Sequence, residues 1–382
     1  MLQGRRFEMI ANKYKISFCT VCMNRLHHLK QTLPLNLMDS FGYPDTEFVL
    51  LDYNSSDGLE QYVLSELSVY INNNKLIYFR TESPHYFNRS HSRNLAFRLA
   101  SGDIICNIDA DNFTGKGLAN YINQVFNKEK NIFLTNIKSG ALIDSQKDIL
   151  GKVCLRKEDF IKVCGYDESM VNYGFEDFDL VNRLELSGLL SQSFGFNSIG
   201  QSAIAHQVEE SLKNEEISCR LESILLNYIT PSSTELIFLL KDGFFLKGVL
   251  TDNFAYNLEL DTFQYKQSLS KYQFSLKNDE LIRGKWKSVS DRILITNDSD
   301  LHVIQLKHTN IPYLLLDNNN SKPYYKLADA EMVQTAIMIF SQIPNRVIME
   351  NNIRKKKIVV NEGGYGRGRV FKNFDYHSFI DL

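Results

Sequence analysis

Gly102-Asp103-Ile104-Ile105-Cys106-Asn107-Ile108-Asp109-Ala110-Asp111 is the stretch that decides how this chain is read. A short apolar run ends on two carboxylates one residue apart. The pattern predicts a buried strand that delivers Asp109 and Asp111 to the end of a sheet. Carboxylates so placed are suited to holding a divalent cation against a diphosphate. Asp-x-Asp is also a common turn after a strand, so the surroundings must choose between the two readings.

Three earlier segments end in the same way. Lys15–Cys22 is apolar and β-branched, and polar Asn24-Arg25 follow it. Glu47–Leu51 leads into the turn-rich Asp52-Tyr53-Asn54-Ser55-Ser56-Asp57-Gly58, and Lys75–Phe79 runs into Arg80. Between them apolar residues recur at helical spacing: Leu26, Leu29 and Leu33, then Leu59, Tyr62, Val63, Leu67 and Ile71. Alternating strands and helices predict parallel βαβ units with right-handed crossovers. Ligands in such sheets bind beyond the carboxyl ends of the strands. Asn24, Asp52, Arg80 and Asp109 all fall there, so residues 15–111 are expected to form a nucleotide-type site.

Length and composition bound the rest. A chain of 382 residues can hold two domains, each with its own core. A formal charge of −2 gives no general pull toward nucleic acid or anionic membrane. Six cysteines are too few for a disulfide scaffold. Cys19 and Cys22 form a CxxC inside a predicted strand, where alternation sends the two side chains to opposite faces, so they are expected in the core rather than on zinc. No apolar run approaches about 18 residues, which predicts no membrane span. Arg5 and Arg6 have no apolar segment behind them, which argues against a signal peptide. A cytoplasmic enzyme is expected.

Neither GxGxxG nor GxxxxGK[ST] occurs, so the usual dinucleotide and P-loop fingerprints are missing. Phosphates must then be held by a metal and by cationic side chains. At this point the chain resembles the GT-A glycosyltransferases, specifically the large family-2 group. The resemblance lies in Asn24-Arg25, the Asp52–Gly58 turn and Asp109-Ala110-Asp111. Two further stretches are similar to the β1,4-galactosyltransferase and chondroitin-polymerase branch. One is Phe87-Asn88-Arg89-Ser90-His91-Ser92-Arg93-Asn94. The other is Gly165-Tyr166-Asp167-Glu168 followed by Tyr173-Gly174-Phe175-Glu176-Asp177-Phe178-Asp179-Leu180 and Arg183. The resemblance covers roughly residues 15–210.

It implies an inverting transfer, in which an acceptor hydroxyl attacks the anomeric carbon as a nucleoside diphosphate leaves. A hydroxyl is a poor nucleophile near neutral pH, so a carboxylate must take its proton. By resemblance Asp177 is that base and Glu176 orients the acceptor. The pair also suits a helix N-terminus, where acidic residues meet the positive end of the dipole, and both readings can hold together. The resemblance further implies His206 as a metal ligand beside Asp111 and Asp109, with Asp109 alternatively on the ribose or acting through water. A mixed oxygen and imidazole set suits Mn2+ best, with Mg2+ as runner-up. Arg89 and Arg93, four apart on a predicted helix, can face one ligand together or form a solvated basic face. Asp52 is expected to read the uracil or ribose, with Asn24, Arg25 and Arg80 lining the nucleotide site. Asp57 is expected to cap the next helix, and His27, His28, His85 and His91 to face solvent.

The resemblance stops near residue 210. Leu212, Leu221, Ile224, Leu225 and Tyr228 predict a helix closing a catalytic domain of residues 1–230. Residues 231–382 are expected to form a β-rich accessory domain. Glu235–Leu240 and Phe244–Leu250 read as a hairpin about Asp242-Gly243. Gly284–Trp286, Arg292–Thr296 and His302–Leu306 continue the strand pattern. A helix follows over Asp329–Asn352, which Pro344 is expected to interrupt, and the basic run Arg354–Lys357 reads as its solvated end. Asn361–Arg369, rich in glycine and arginine, reads as a loop between strands or as a close approach to phosphate.

The fold class is therefore α/β, a GT-A domain with a C-terminal β-rich domain plus helix. By the resemblance, the donor is a UDP-sugar carrying a hexose or N-acetylhexosamine. The acceptor is a glycan or lipid-linked saccharide of a surface polysaccharide pathway, with peripheral membrane association and no nucleic-acid partner. Two rivals stand beside it: a nucleotidyltransferase, and a non-catalytic glycan-binding protein on a transferase scaffold.

Overall fold

The computed structural model describes residues 12–137, 151–194, 201–230, 233–251, 256–257, 262–263, 273–275, 282–289, 292–297, 300–305, 324–327 and 330–382. Arg5, Arg6, Leu306 and Asp329 lie outside the described residues. The chain forms two units, one of residues 1–171, 175–206 and 349–382, the other of 172–174 and 207–348.

The first unit is built on β1 (Ile16–Cys22), β2 (Thr46–Tyr53), β3 (Leu76–Thr81) and β4 (Ile104–Asn107), mutually parallel in the order β3-β2-β1-β4. These are the four strands expected from the sequence. β6 (Ile132–Thr135), β7 (Val153–Arg156) and β8 (Leu190–Gln192) extend the sheet beyond β4, with β7 antiparallel to both β4 and β6. The crossover helices are α1 (Leu26–Asp39), α2 (Leu59–Glu66) with the short α3 (Ser68–Asn72), α4 (Arg89–Leu99) and α5 (Leu118–Lys128). The short α6 (Lys157–Lys162) follows β7, and α7 (Glu176–Leu186) follows the 165–175 loop.

Each sheet face is covered by its own apolar layer, one drawing on Leu29, Leu33 and Ile122, the other on Leu95, Phe97, Phe160, Leu180 and Leu184. Cys22 joins the first layer and Cys19 the second, as strand alternation requires. Three to four residues' spacing of apolar positions thus places the helices, and a 2-residue period places the strands.

The expected boundary near residue 230 is corrected at the C-terminus. Residues 349–382 return to the first unit rather than staying with the accessory domain. β20 (Arg369–Lys372) pairs antiparallel with β3, and β21 (Asp375–Asp381) pairs with β20, so the tail completes one edge of the first unit's sheet. The glycine-rich stretch before it is a packed loop. Arg98 donates to the carbonyls of Tyr365 and Gly366 at 2.7 and 2.9 Å, and Gly366 N donates to Glu168. Asn361 Nδ2 donates to the carbonyls of Cys164 and Tyr166. These bonds pack the loop against the 164–168 turn and α4, with Gly366 at the closest approach.

The second unit begins with α8 (Val208–Leu212) and α9 (Glu216–Arg220). β10 (Leu221–Thr230), β11 (Ser233–Leu240) and β12 (Phe244–Thr251) then form an antiparallel meander, with the expected turn at Asp242-Gly243. β13 (Tyr256–Asn257) and β14 (Thr262–Phe263) pair separately, and β15 (Gln273–Ser275) joins β12. β16 (Ile282–Val289), β17 (Arg292–Asn297) and β18 (Asp300–Gln305) continue the sheet, and β19 (Tyr325–Lys326) pairs with β10.

The single helix expected through Leu212 and Tyr228 is therefore wrong. Leu221–Thr230 is a strand, because Ile224 and Leu226 enter one core while Leu225 enters the other, a period of two. α10 (Ala330–Arg354) covers one face through Ala336, Ile339, Phe340 and Ile343. It continues through Pro344 instead of breaking there.

The loop packing predicts a local cost. Gly366 has φ +53°, and an added Cβ would lie 2.9 Å from the backbone carbon of Asn94. Gly366→Ala should destabilise the first unit by about 1–3 kcal/mol in a urea titration. Gly363→Ala, where nothing lies within 4 Å, should stay within about 0.5 kcal/mol of the parent.

Candidate active site

Asp109-Ala110-Asp111 leaves β4 at its carboxyl end, and α1 holds the turn in place. Thr32 Oγ1 donates to Ala110 O at 2.7 Å, and Asn36 Nδ2 donates to Asn112 O at 2.9 Å. The next residues form β5 (Asn112–Phe113), which pairs antiparallel with β9 (Ser202–Ala203). That pairing draws in the segment carrying His206. Ile204 N donates to Asp111 O, and His206 Nε2 lies 2.9 Å from Asp111 Oδ2. Residues far apart in sequence, joined by nothing in composition, thus meet through a two-residue ladder.

Asp109 faces the other way. Its Oδ1 accepts from Asn107 Nδ2 at 2.9 Å and from Arg93 Nη2 at 3.1 Å. Burial pushes its pKa up, but the Arg93 guanidinium and these hydrogen bonds outweigh burial and hold it below the ordinary value. Arg93 comes from α4, whose Asn88 side chain caps the helix by accepting from His91 N. Its other nitrogen, Nη1, donates to both oxygens of Asp177 at 2.9 and 3.0 Å and to Glu176 Oε1 at 3.2 Å. One guanidinium therefore joins the strand-end carboxylate to the first turn of α7.

α7 is itself fixed from behind. Asp179 pairs with Arg183 at 2.6 Å inside the core, and Arg183 donates to the carbonyls of Val163 and Gly165. Asn352 Nδ2 bridges Asp179 Oδ1 and Asp167 Oδ2. Phe175 adopts φ +69° just before the helix, turning the chain so that Glu176 and Asp177 point inward. Burial pushes Asp177 up to about 7, with Glu176 and Asp109 adding to the rise against the pull of Arg93. Glu176 Oε2 is buried without a hydrogen-bond partner among the described residues.

Two residues that the sequence did not flag complete the cluster. An added Cβ at Gly151 would lie 2.9 Å from Asp177 Oδ2, 3.3 Å from Arg93 Nη2 and 3.5 Å from Asp109 Oδ2. The charged groups close around a bare Cα, so a side chain at this position would have to displace the Asp177 carboxylate. Lys152 is fully buried, with Nζ 2.9 Å from Gln201 Oε1. Nothing in the sequence around either residue distinguishes it from an ordinary strand start.

Asp109, Asp111, Glu176, Asp177, Arg93 and His206 are thus brought together, in the pairs just described. The remaining sequence candidates are placed elsewhere. Asp52 is not offered to a ligand: it is wholly buried, accepting from Ser55 N, Tyr78 OH and Arg80 Nη1. Arg80 is shared between Asp52 and Glu60. The pair is a structural clasp across β2 and β3, because Tyr78 on the neighbouring strand claims the second carboxylate oxygen. Asn24, at φ +55°, accepts from Ser56 N on its side-chain oxygen and donates its own N–H to Ser55 Oγ, tying the first two loops together. Arg25 lies against His28 at the start of α1, and Arg89 lies over the Phe87 ring at 5.2 Å. Asp57 caps α1 rather than the helix that follows it, accepting from Leu26 N at 2.8 Å. His28 is buried, its ring centroid 5.3 Å from that of His206, and His91 bonds Tyr53 and Arg367 O, so neither is a plain surface histidine.

Asp111 and His206 converge as a carboxylate–imidazole pair whose chemistry suits a divalent cation of the Mn2+ type, while Asp109 is turned onto Arg93 and Asn107 and does not join them in a three-ligand cluster among the described residues.

Residues 17–140 match the sequence profile described as glycosyl transferase family 2, and residues 142–206 match that of the N-terminal domain of galactosyltransferase. Both profiles are of the glycosyltransferase type, and together they run through the parallel strands and α7 of the first unit. No curated protein matches the chain significantly in sequence.

Among solved structures, the chain is similar to a Pyrobaculum calidifontis mannosyltransferase solved with GDP-Man and Mn2+. The identity is 15%, over 48% of this chain and 55% of that one, with a TM-score of 0.39. S. aureus TarS gives 16% identity over 45% and 55%, with a TM-score of 0.37. Drosophila β1,4-galactosyltransferase 7, solved with manganese, UDP-Gal and xylobiose, gives 16% over 53% and 75%, with a TM-score of 0.36. The chain spans about half the length of the first two.

The raised Asp177 carboxyl has a thermodynamic consequence. A carboxyl that holds its proton more tightly folded than unfolded makes the fold lose stability as pH rises between the two pKa values. The stability of Asp177→Asn relative to the parent should therefore rise from pH 4 to about 7 and level off above that, superimposed on a pH-independent loss from its weakened bonds to Arg93. Thermal unfolding of the metal-free chains across this range measures it.

Proposed function

We propose that this chain is an inverting, metal-dependent glycosyltransferase that moves a hexose or N-acetylhexosamine from a UDP-sugar to a saccharide acceptor. The observation that carries the reading is the position of Asp177. A buried carboxylate with a pKa near neutrality, beside an unpartnered Glu176 oxygen, is what a general base and an acceptor clamp require. The two profile matches, which run almost end to end through this cluster, support the same assignment.

Asp177 takes the proton of the acceptor hydroxyl, and Glu176 Oε2 accepts a second hydroxyl of the same sugar to orient it. Asp111 and His206 would hold the cation, with Asp109 beside them. The cation, when bound, supplies positive charge against the leaving diphosphate. Arg93 keeps Asp177 and Asp109 at fixed separation while charge moves between the acceptor and the diphosphate. Arg89 is available to the diphosphate at the start of α4. Asn24 and Arg25 shape the first loop of the nucleotide site. Asp52 and Arg80 support that loop from behind.

The acceptor is proposed to be a glycan or lipid-linked saccharide of surface polysaccharide synthesis. No helix of the described residues is long and apolar enough to cross a membrane. The six cysteines are unpaired, which suits a reducing compartment. We propose that the enzyme works in the cytoplasm and meets lipid-linked acceptors peripherally.

The test is transfer from a panel of UDP-sugars in Mn2+, with wild type and Asp177→Asn. The wild type should transfer one of them, with kcat/KM rising as pH passes about 7 and the base deprotonates. The variant should lose transfer at least about a thousandfold while UDP affinity stays within about tenfold, since a base acts mainly in the transition state. Unchanged transfer, or UDP binding lost along with it, would refute the assignment.

A further inference from the structure

In the second unit, β16 alternates between two environments. Ile282 and Trp286 pack into one core with Ile293 and Ile295 of β17, while Arg283, Lys285 and Lys287 are exposed on the other face. The antiparallel register sets Val289 opposite Arg292, so exposed Arg292 stands on the same face as those three cations. On the other neighbour, β12, Phe244 lies opposite Lys285 and Leu246 opposite Arg283.

That face changes character across the sheet. Over β10 and β11 it is apolar, and α10 covers it through Ala336, Ile339 and Phe340. Leu246 packs against the edge of this cluster. Beyond β12 the face turns cationic, and none of its positions on β12, β16 or β17 holds an acidic residue. The cations of β16 follow one another at about 7 Å along the strand, where like charges repel. None of the four has a carboxylate partner among the described residues, whereas Lys247, on the opposite face of β12, is paired with Glu235 at 3.3 Å.

Two apolar side chains stand among these cations, Phe244 and Val289, each 46% exposed. Such a mixture matches a bilayer interface, where cations meet anionic headgroups and apolar groups enter the boundary with the acyl chains. A hydrophilic polyanion would satisfy the cations but leave Phe244 and Val289 in water. The formal charge of −2 does not oppose docking, because the cations are gathered on one face and more distant charges are screened beyond a Debye length.

We propose that the β16–β17 face of the second unit docks the protein on a membrane surface rich in anionic lipid. Arg283, Lys285, Lys287 and Arg292 meet the headgroups, and Phe244 and Val289 enter the interface. The inference rests on the reading that the acceptor is met peripherally at a membrane, and it names the surface that does so.

The test is sedimentation of the full chain with vesicles of phosphatidylcholine, alone or mixed equally with phosphatidylglycerol, without donor or acceptor. Thermal unfolding establishes that each variant is folded. Wild type should bind the anionic vesicles at least about tenfold more tightly than the neutral ones, and lose that preference at high salt. Each Lys or Arg near an anionic surface contributes a factor of about five, so Lys285→Gln with Lys287→Gln should weaken binding at least about tenfold. Phe244→Ser should weaken it about threefold with the charge unchanged. Lys355→Gln with Lys356→Gln removes the same charge from the exposed end of α10 and should stay within about twofold of wild type. Equal losses in the two double variants would mean a general charge effect and overturn the proposal. Wild type that ignores anionic vesicles overturns it too. If polygalacturonate is bound instead, and Lys285→Gln with Lys287→Gln abolishes that binding, the face belongs to an acidic saccharide chain and not to a membrane. No sugar is transferred in this assay, so its failure and the failure of the transferase reading are separate results.

Discussion

The site depends on one guanidinium. Arg93 is buried with Asp109 on one nitrogen and Asp177 and Glu176 on the other. Those carboxylates come from a strand end and a helix start that share no local sequence. Left to themselves, three carboxylates so close together, two of them buried, would repel one another and take up protons. Arginine's planar fork can bond in two directions at once, which a lysine ammonium cannot do with the same geometry. Removing one partner of a buried ion pair typically costs about 3–5 kcal/mol, because the other charge is left unpaired. The same contacts that hold the fold together therefore set the spacing between the proposed base and the proposed metal carboxylates.

The rest of the first unit keeps the partners of Arg93 in place. Thr32 and Asn36 on α1 pin the Asp109–Asn112 turn, and β5 with β9 brings His206 against Asp111. Asn352 and Asn361, from the C-terminal segment, pin Asp179 and the Cys164–Tyr166 turn. The chain leaves this unit, folds a separate antiparallel sheet, and returns to finish the catalytic sheet with β20 and β21. The tail is thereby part of the catalytic architecture.

Much of this was legible in the sequence where a period or a motif carried it. The four parallel strands, the helix bearing Arg93 and the start of α7 follow from apolar spacing and from Asp109–Asp111 and Glu176–Asp177. What the sequence hid depends on pairings between distant segments. Leu221–Thr230 has apolar residues dense enough to suit a helix, and only its neighbours β11 and β19 select a strand. Asp52 looked like a ligand because it ends a strand, yet Tyr78 and Arg80 on the adjacent strand take one of its oxygens and Ser55 N takes the other. Gly151 and Lys152 matter through what surrounds them, and no local pattern marks them.

The central claim is that Arg93 joins base and strand-end carboxylate into one working unit. It is tested most directly by steady-state transfer kinetics of Arg93→Lys, with thermal unfolding alongside. The substitution keeps the charge and removes the two-directional bonding. A folded variant whose kcat/KM has fallen at least about a hundredfold is the predicted result, the scale expected when reacting groups are displaced by an ångström. A folded variant that transfers sugar like the wild type would contradict the account.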